Sequence, residues 1–172
     1  MPVIIPWFKR EFSFDIPAGM FANVMERLRG TPARLEERLG RVPSQVLVRK
    51  EGDSWSIQEN AGHLLDLEPL WADRVEDFAQ GKEKLRTADL TNRRTHETRH
   101  NEAPLGKILS SFRAARAGLV SRLEALDEQT LARTALHPRL NSPMRVIDHA
   151  FFVAEHDDHH LARISELLRL FT

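Results

Sequence analysis

His156 and His160 stand four residues apart in the run His156-Asp157-Asp158-His159-His160, and His63 lies alone far upstream. On a helix, a spacing of four puts two imidazoles on one face, about 6 Å apart along the axis, where both reach one cation. A third imidazole from another helix makes a three-histidine site, which leaves a coordination position open for water or substrate, as catalytic metal sites do. Both segments sit among apolar residues that specify a buried face. Three desolvated imidazoles turned toward one another are costly unless a cation joins them.

The other five histidines fit this site less well. His96 and His100 also lie four apart, but within Arg93-Arg94-Thr95-His96-Glu97-Thr98-Arg99-His100, a cationic segment with no apolar stripe. Its arginines repel a divalent ion, so a solvated loop is expected there. Glu97-x-x-His100 spells half of a di-iron motif, whose second copy is missing. His149 shares the face of His156 but is about 10 Å away along the axis, suited to a pocket wall or the core. His159 points to the rim. Asp157 and Asp158 lie off the ligand face, either solvated or orienting an imidazole. His137 is expected in a loop.

Positioning these residues needs helices. Ser56-Ile57-Gln58-Glu59 matches a capping box that starts one, with an apolar stripe from Ile57 to Phe78, Pro69 inside it and Gly81 as its stop. A stripe from Leu105 to Leu126 predicts another. A stripe from Val146 to Leu168, opened by Ser142-Pro143 as N-cap and first-turn proline, predicts the last. The first region, Met20 to Leu39, is interrupted by Gly30-Thr31-Pro32 and is expected to be kinked or broken. Residues 1–16 form an extended arm anchored by Trp7, Phe12 and Phe14, while residues 82–103 and 127–141 are polar connectors without a strand pair. The expected fold is all-α: one domain spanning residues 1–172, an antiparallel four-helix bundle.

Bulk properties narrow the function classes. Lys and Arg number 25, Asp and Glu 25, so the net charge is zero and nucleic acid is not an expected partner. No apolar run is long enough to span a bilayer, and a cytoplasmic protein is expected. There is no cysteine, so any thiolate in the chemistry must come from a co-substrate.

Three stretches resemble the DinB-like superfamily of four-helix metalloproteins: Gly30 to Glu36, Trp55 to Leu64, and His156 to Ile164. The second is similar to Trp-Ser-x-x-Glu-x-x-x-His-Leu and the third to His-x-x-x-His-Leu-x-x-Ile. The resemblance implies a divalent ion, zinc or nickel, on His63, His156 and His160, and a homodimer. It implies metal-dependent chemistry on a small-molecule substrate. Transfer of a low-molecular-weight thiol to a small electrophile is the leading expectation. Hydrolysis by metal-activated water and a non-catalytic metal-binding bundle are the alternatives. Glu59, Asp66 and Glu155 are the carboxylates near enough in sequence to act as a general base for water; no catalytic residue is assigned.

Overall fold

The computed structural model describes residues 3–172. Four long helices build it: α1 (Phe21–Leu39), α3 (Ile57–Ala79), α5 (Leu105–Glu124) and α7 (Val146–Phe171). Short helices α2 (Ser44–Leu47), α4 (Arg93–Thr98) and α6 (Glu128–Leu131) lie in the connections, with one hairpin of β1 (Thr134–His137) and β2 (Ser142–Arg145). None of the helices is long and apolar enough to cross a membrane.

α1 and α3 sit on opposite corners, each packed against α5 and α7. The core comes in two halves. Val24, Met25, Leu28, Trp71, Val75, Phe78, Leu119, Leu123 and Val153 fill one. Leu35, Leu39, Ile57, Leu64, Ile108, Phe112, Leu161 and Ile164 fill the other. The order in which each helix visits the halves gives its direction. α1 and α7 run one way and α3 and α5 the other, so antiparallel pairs α1/α5 and α3/α7 alternate with parallel pairs α3/α5 and α1/α7. Parallel neighbouring helices need a long crossover connection, and residues 80–104 supply it between α3 and α5.

Between the halves the four helices share one buried polar layer, to which they contribute Thr31, Glu68, Arg116 and Asp157. Arg116 meets Glu68 at 2.6 Å and also pairs with Asp157, whose carboxylate accepts from Thr31 Oγ1 at 2.8 Å. This buried cation is fully paired and hydrogen-bonded, the condition under which an interior charge is tolerated. Asp157 is therefore a structural member of the mid-bundle layer, and Asp158 pairs at the surface with Arg27 and Arg34.

The helix α1 runs unbroken through Pro32. Proline deprives the carbonyl four residues earlier of its donor. That carbonyl belongs to Leu28, and Arg116 Nη1 donates to it at 3.3 Å. The mid-bundle arginine thus satisfies the group that a break would have exposed to water.

The region before α7 departs from expectation. Ser142-Pro143 lies in β2, and α7 begins at Val146, capped by Arg145 and the Asp148 carboxylate. β1 and β2 pair antiparallel with His137 opposite Ser142, and Asn141 takes the left-handed conformation (φ 50°) that the turn requires. Leu136 N–H further donates to Glu83 O at 2.8 Å, and Leu85 N–H to Leu136 O at 3.1 Å. Four-residue strands leave too short an alternation to register in sequence. In the N-terminal arm, Trp7, Phe12 and Phe14 pack against the chain's own core. They therefore give no reason for a second subunit.

Candidate metal centre

His63, His156 and His160 meet between α3 and α7, all three buried, with one ring nitrogen from each lying within 4.8 Å of the others. The capping box that starts α3 is formed: Glu59 N–H donates to Ser56 Oγ at 3.1 Å, and Ser56 N–H to Glu59 Oε2 at 2.8 Å. It fixes the turn immediately before His63.

Two of the imidazoles are locked by neighbours. Asn60 Nδ2 donates to Ser56 O at 2.8 Å, which turns its Oδ1 toward His160 Nδ1, also at 2.8 Å. That oxygen only accepts, so His160 carries its proton on Nδ1 and its Nε2 keeps a lone pair. Thr95 Oγ1 donates to Asp66 Oδ2 at 2.9 Å and so must accept from His63 Nδ1, again at 2.9 Å. His63 is thereby fixed in the same tautomer. This is how ligating histidines are held in metal proteins, through the ring nitrogen that does not bind. His156 Nδ1 is buried without a partner, and Trp7 and Trp71 rings pack on its imidazole at 5.0 and 5.6 Å.

Burial pushes all three imidazoles toward the neutral form. Desolvation brings His63 to about 4, partly offset by Asp66, and it takes His156 and His160 well below their ordinary value, with His63 adding to the fall at both and His156 at His160. At neutral pH the cluster offers lone pairs and no positive charge. The donor set fits a divalent ion: three neutral imidazoles, two with their tautomers preset.

His100 departs from the sequence expectation. It is 2 % exposed, and its Nε2 donates to Asp66 Oδ2 at 2.7 Å. Its ring lies directly on Gly62, where a Cβ would come within 2.2 Å of ring carbon. Arg99 just before it adopts a left-handed φ of 51°, and Gln58 Nε2 donates to the His100 carbonyl at 2.6 Å. A solvated loop was expected because nothing apolar marks this segment. The structure buries Thr95 and His100 through polar partners on α3 instead, while the residues between them stay exposed. His96 is exposed, and neither residue joins the cluster. His149 is core, His159 lies on the cavity rim and His137 on β1.

The cluster opens into a cavity of about 530 Å³, walled on one side by Trp7, Trp55, Trp71 and Phe152. The three candidate general bases all have other partners. Glu59 closes the capping box and meets Lys50 at 2.8 Å. Asp66 holds His100 and Thr95. Glu155 pairs with Arg10 and Arg27. Sequence reasoning missed Asn60, Thr95 and His100 as supports. The one signal was that Asn60 precedes His63 by one helical turn.

The chain belongs to the DinB superfamily, whose family model matches residues 27–164. No curated protein sequence matched it. Among solved structures it is similar to YfiT from Bacillus subtilis, a probable metal-dependent hydrolase with an unusual four-helix bundle topology. The TM-score is 0.80 at 18% identity, over 94% of this chain and 93% of that one. It is also similar to a mycothiol-dependent maleylpyruvate isomerase, with a TM-score of 0.67 at 12% identity, over 88% of this chain and 62% of that one. At these identities the likeness establishes the shared fold.

Proposed function

We propose that this chain is a divalent-metal-dependent enzyme, with His63, His156 and His160 as ligands, that transfers a low-molecular-weight thiol to a small electrophile. The observation that carries the metal is the pair of preset tautomers, since Asn60 and Thr95 hold His160 and His63 with Nε2 free. A zinc or nickel ion there supplies positive charge that lowers the pKa of a coordinated thiol or water toward neutrality. The residues of the chain orient and desolvate. Asn60 and the Thr95–Asp66 pair hold the rings, and the tryptophans exclude water around them.

The thiol is favoured over water by the state of the carboxylates. A thiol's ordinary pKa is near 8.5, so it ionises with little help, whereas water commonly calls on a general base. Glu59, Asp66 and Glu155 are each held by other groups. A cytoplasmic setting, where small thiols stay reduced, suits this reading, and the similarity to a thiol-dependent isomerase supports it. The closer likeness to YfiT, described as a probable hydrolase, favours hydrolysis as the second reading. Homodimer assembly rests on the family resemblance, and sedimentation at micromolar concentration tests it.

The cobalt-substituted protein separates the two chemistries. Under the thiol reading, millimolar glutathione, mycothiol or bacillithiol produces an intense sulfur-to-cobalt charge-transfer band. Under the hydrolytic reading the spectrum titrates with pH and ignores thiols. A spectrum indifferent to both leaves a non-catalytic bundle.

A further inference from the structure

Beyond the histidine cluster, the same cavity has a second polar wall with too many donors. It is made by Arg74 of α3 together with His137 and Arg139, which the β-hairpin delivers. Leu140 N–H donates to His137 Nδ1 at 3.1 Å, so the neutral ring carries its proton on Nε2. Yet Arg74 Nη1, also a donor, faces that same Nε2 at 3.2 Å. One imidazole lone pair cannot serve both donors. Arg139 Nη2 is buried with no partner at all.

The charge here also lacks a directly paired counterion. Arg74 is 1 % exposed, and its other hydrogen bond among the described residues runs from Nε to the Arg86 carbonyl at 3.1 Å. Its sequence neighbours Asp73 and Asp77 pair instead with Arg86 and Lys82. Among the described residues neither Arg74 nor Arg139 has an ion-pair partner. Asp89, another residue of the cavity wall, accepts from the Thr91 and Arg93 backbone at 2.9 and 3.1 Å. Burying an unpaired cation is among the costlier arrangements in a fold. Burial, and then Arg74 and Arg139, hold His137 down to about 3; burial brings Arg74 down to about 10, partly offset by Asp77 and deepened by Arg139 and Arg86. The fully paired Arg116 of the same bundle shows the contrast.

We infer that Arg74, His137 and Arg139 form a subsite for a carboxylate carried on a small apolar body. A carboxylate accepts where the three donors converge and neutralises the guanidinium pair, which presents forked donors matched to a planar anion. The apolar body has its wall ready. Trp71 lies beneath the Arg74 guanidinium at 5.5 Å and against His156 at 5.6 Å. Phe152 meets His137 at 5.0 Å and Arg139 at 5.9 Å. Arg74 stands on the same face of α3 as His63, three turns or about 16 Å along its axis. The anion therefore anchors the substrate at a distance from the metal ligands. As the substrate's handle this rests on the proposed metal chemistry; as an anion site it does not.

The test uses the full-length, chelator-treated protein and isothermal titration with benzoate, benzamide and inorganic phosphate. Benzoate is expected to bind, with benzamide weaker by about tenfold or more, as for loss of a charge-assisted contact. Arg139→Gln should weaken benzoate by about the same factor while leaving Tm unchanged or higher, since it removes an unpaired buried donor. Arg139 is only half-buried, so this variant avoids the risk of misfolding that a substitution at the fully buried Arg74 carries. The inference is overturned if benzoate and benzamide bind alike, or if phosphate binds tighter than benzoate. It also fails if benzoate binds only after metal is restored and does so equally in Arg139→Gln, because the anion is then a metal ligand. Benzoate binding with no measurable metal uptake would remove the metal chemistry and keep the subsite.

Discussion

Replacing Gly62 by alanine separates local propensity from the architecture of the site. Alanine is the better helix former by about 1 kcal/mol, and Gly62 sits inside α3. A Cβ at this position meets His100 ring atoms at 2.2 to 2.4 Å, so the buried ring must move. Overpacking of this kind costs about 1–3 kcal/mol. Losing the His100 to Asp66 bond, 2.7 Å and wholly buried, costs about 1.5–3 kcal/mol more. After the propensity gain the net loss is about 1.5–5 kcal/mol, a Tm fall of roughly 3–20 °C for a chain of this size. Asp66 also steadies Thr95, which holds His63, so metal affinity should weaken about 10- to 100-fold. Gly30→Ala is the matched control. It lies inside α1 with nothing within 4 Å of the new Cβ, so it should gain about 0.5–1 kcal/mol. Thermal unfolding of both variants and a zinc titration of Gly62→Ala provide the readout. If both substitutions raise Tm alike, His100 is not packed on Gly62 and the support of His63 is misdescribed.

Asn60→Ala should leave the fold intact and weaken zinc or nickel binding about 10- to 100-fold, measured by competition with a chelating dye; unchanged affinity would mean the His160 tautomer is not held by Asn60. Arg116→Met strands Glu68 and Asp157 in the interior and should cost about 3–5 kcal/mol, read as a lower urea midpoint. Adding Glu68→Gln and Asp157→Asn should recover much of that loss. The metal-free protein should lose stability on acidification. His137 and His149 are each held at about 3 by burial, so the unfolded chain takes up their protons first. Their contribution is complete above pH 6.5 and is lost as the pH falls toward 3, at up to about 1.4 kcal/mol per unit each. Glu68, raised to about 7 by burial, opposes this between pH 7 and 4.5, but His63, His156 and His160 are depressed as well and act with His137 and His149. A Tm that rises from pH 6.5 to 5 would contradict these assignments.

What sequence could show depended on whether a signal was local. The four-residue spacing of His156 and His160, the Ser56–Glu59 capping box and the apolar stripes are periodic features that survive as read. The burial of His100 is not legible in the sequence because it comes from a glycine 38 residues earlier and an aspartate on another element, neither of which leaves a mark beside it. Pro32 suggested a break because the donor that rescues Leu28 O is Arg116, far along the chain. Ser142-Pro143 imitates a helix start, and only pairing with β1 shows it to be a strand. Arg139 carries no local signal, since its significance lies in the partner it lacks.

The proposed chemistry requires that His63, His156 and His160 together hold one divalent ion. Equilibrium dialysis against zinc and nickel, followed by elemental analysis of wild type, His156→Ala and His96→Ala, tests it most directly. One tightly held ion per chain is expected in wild type and His96→Ala, and none in His156→Ala. A His156→Ala protein that keeps its metal, or a wild type that takes up none, would contradict it.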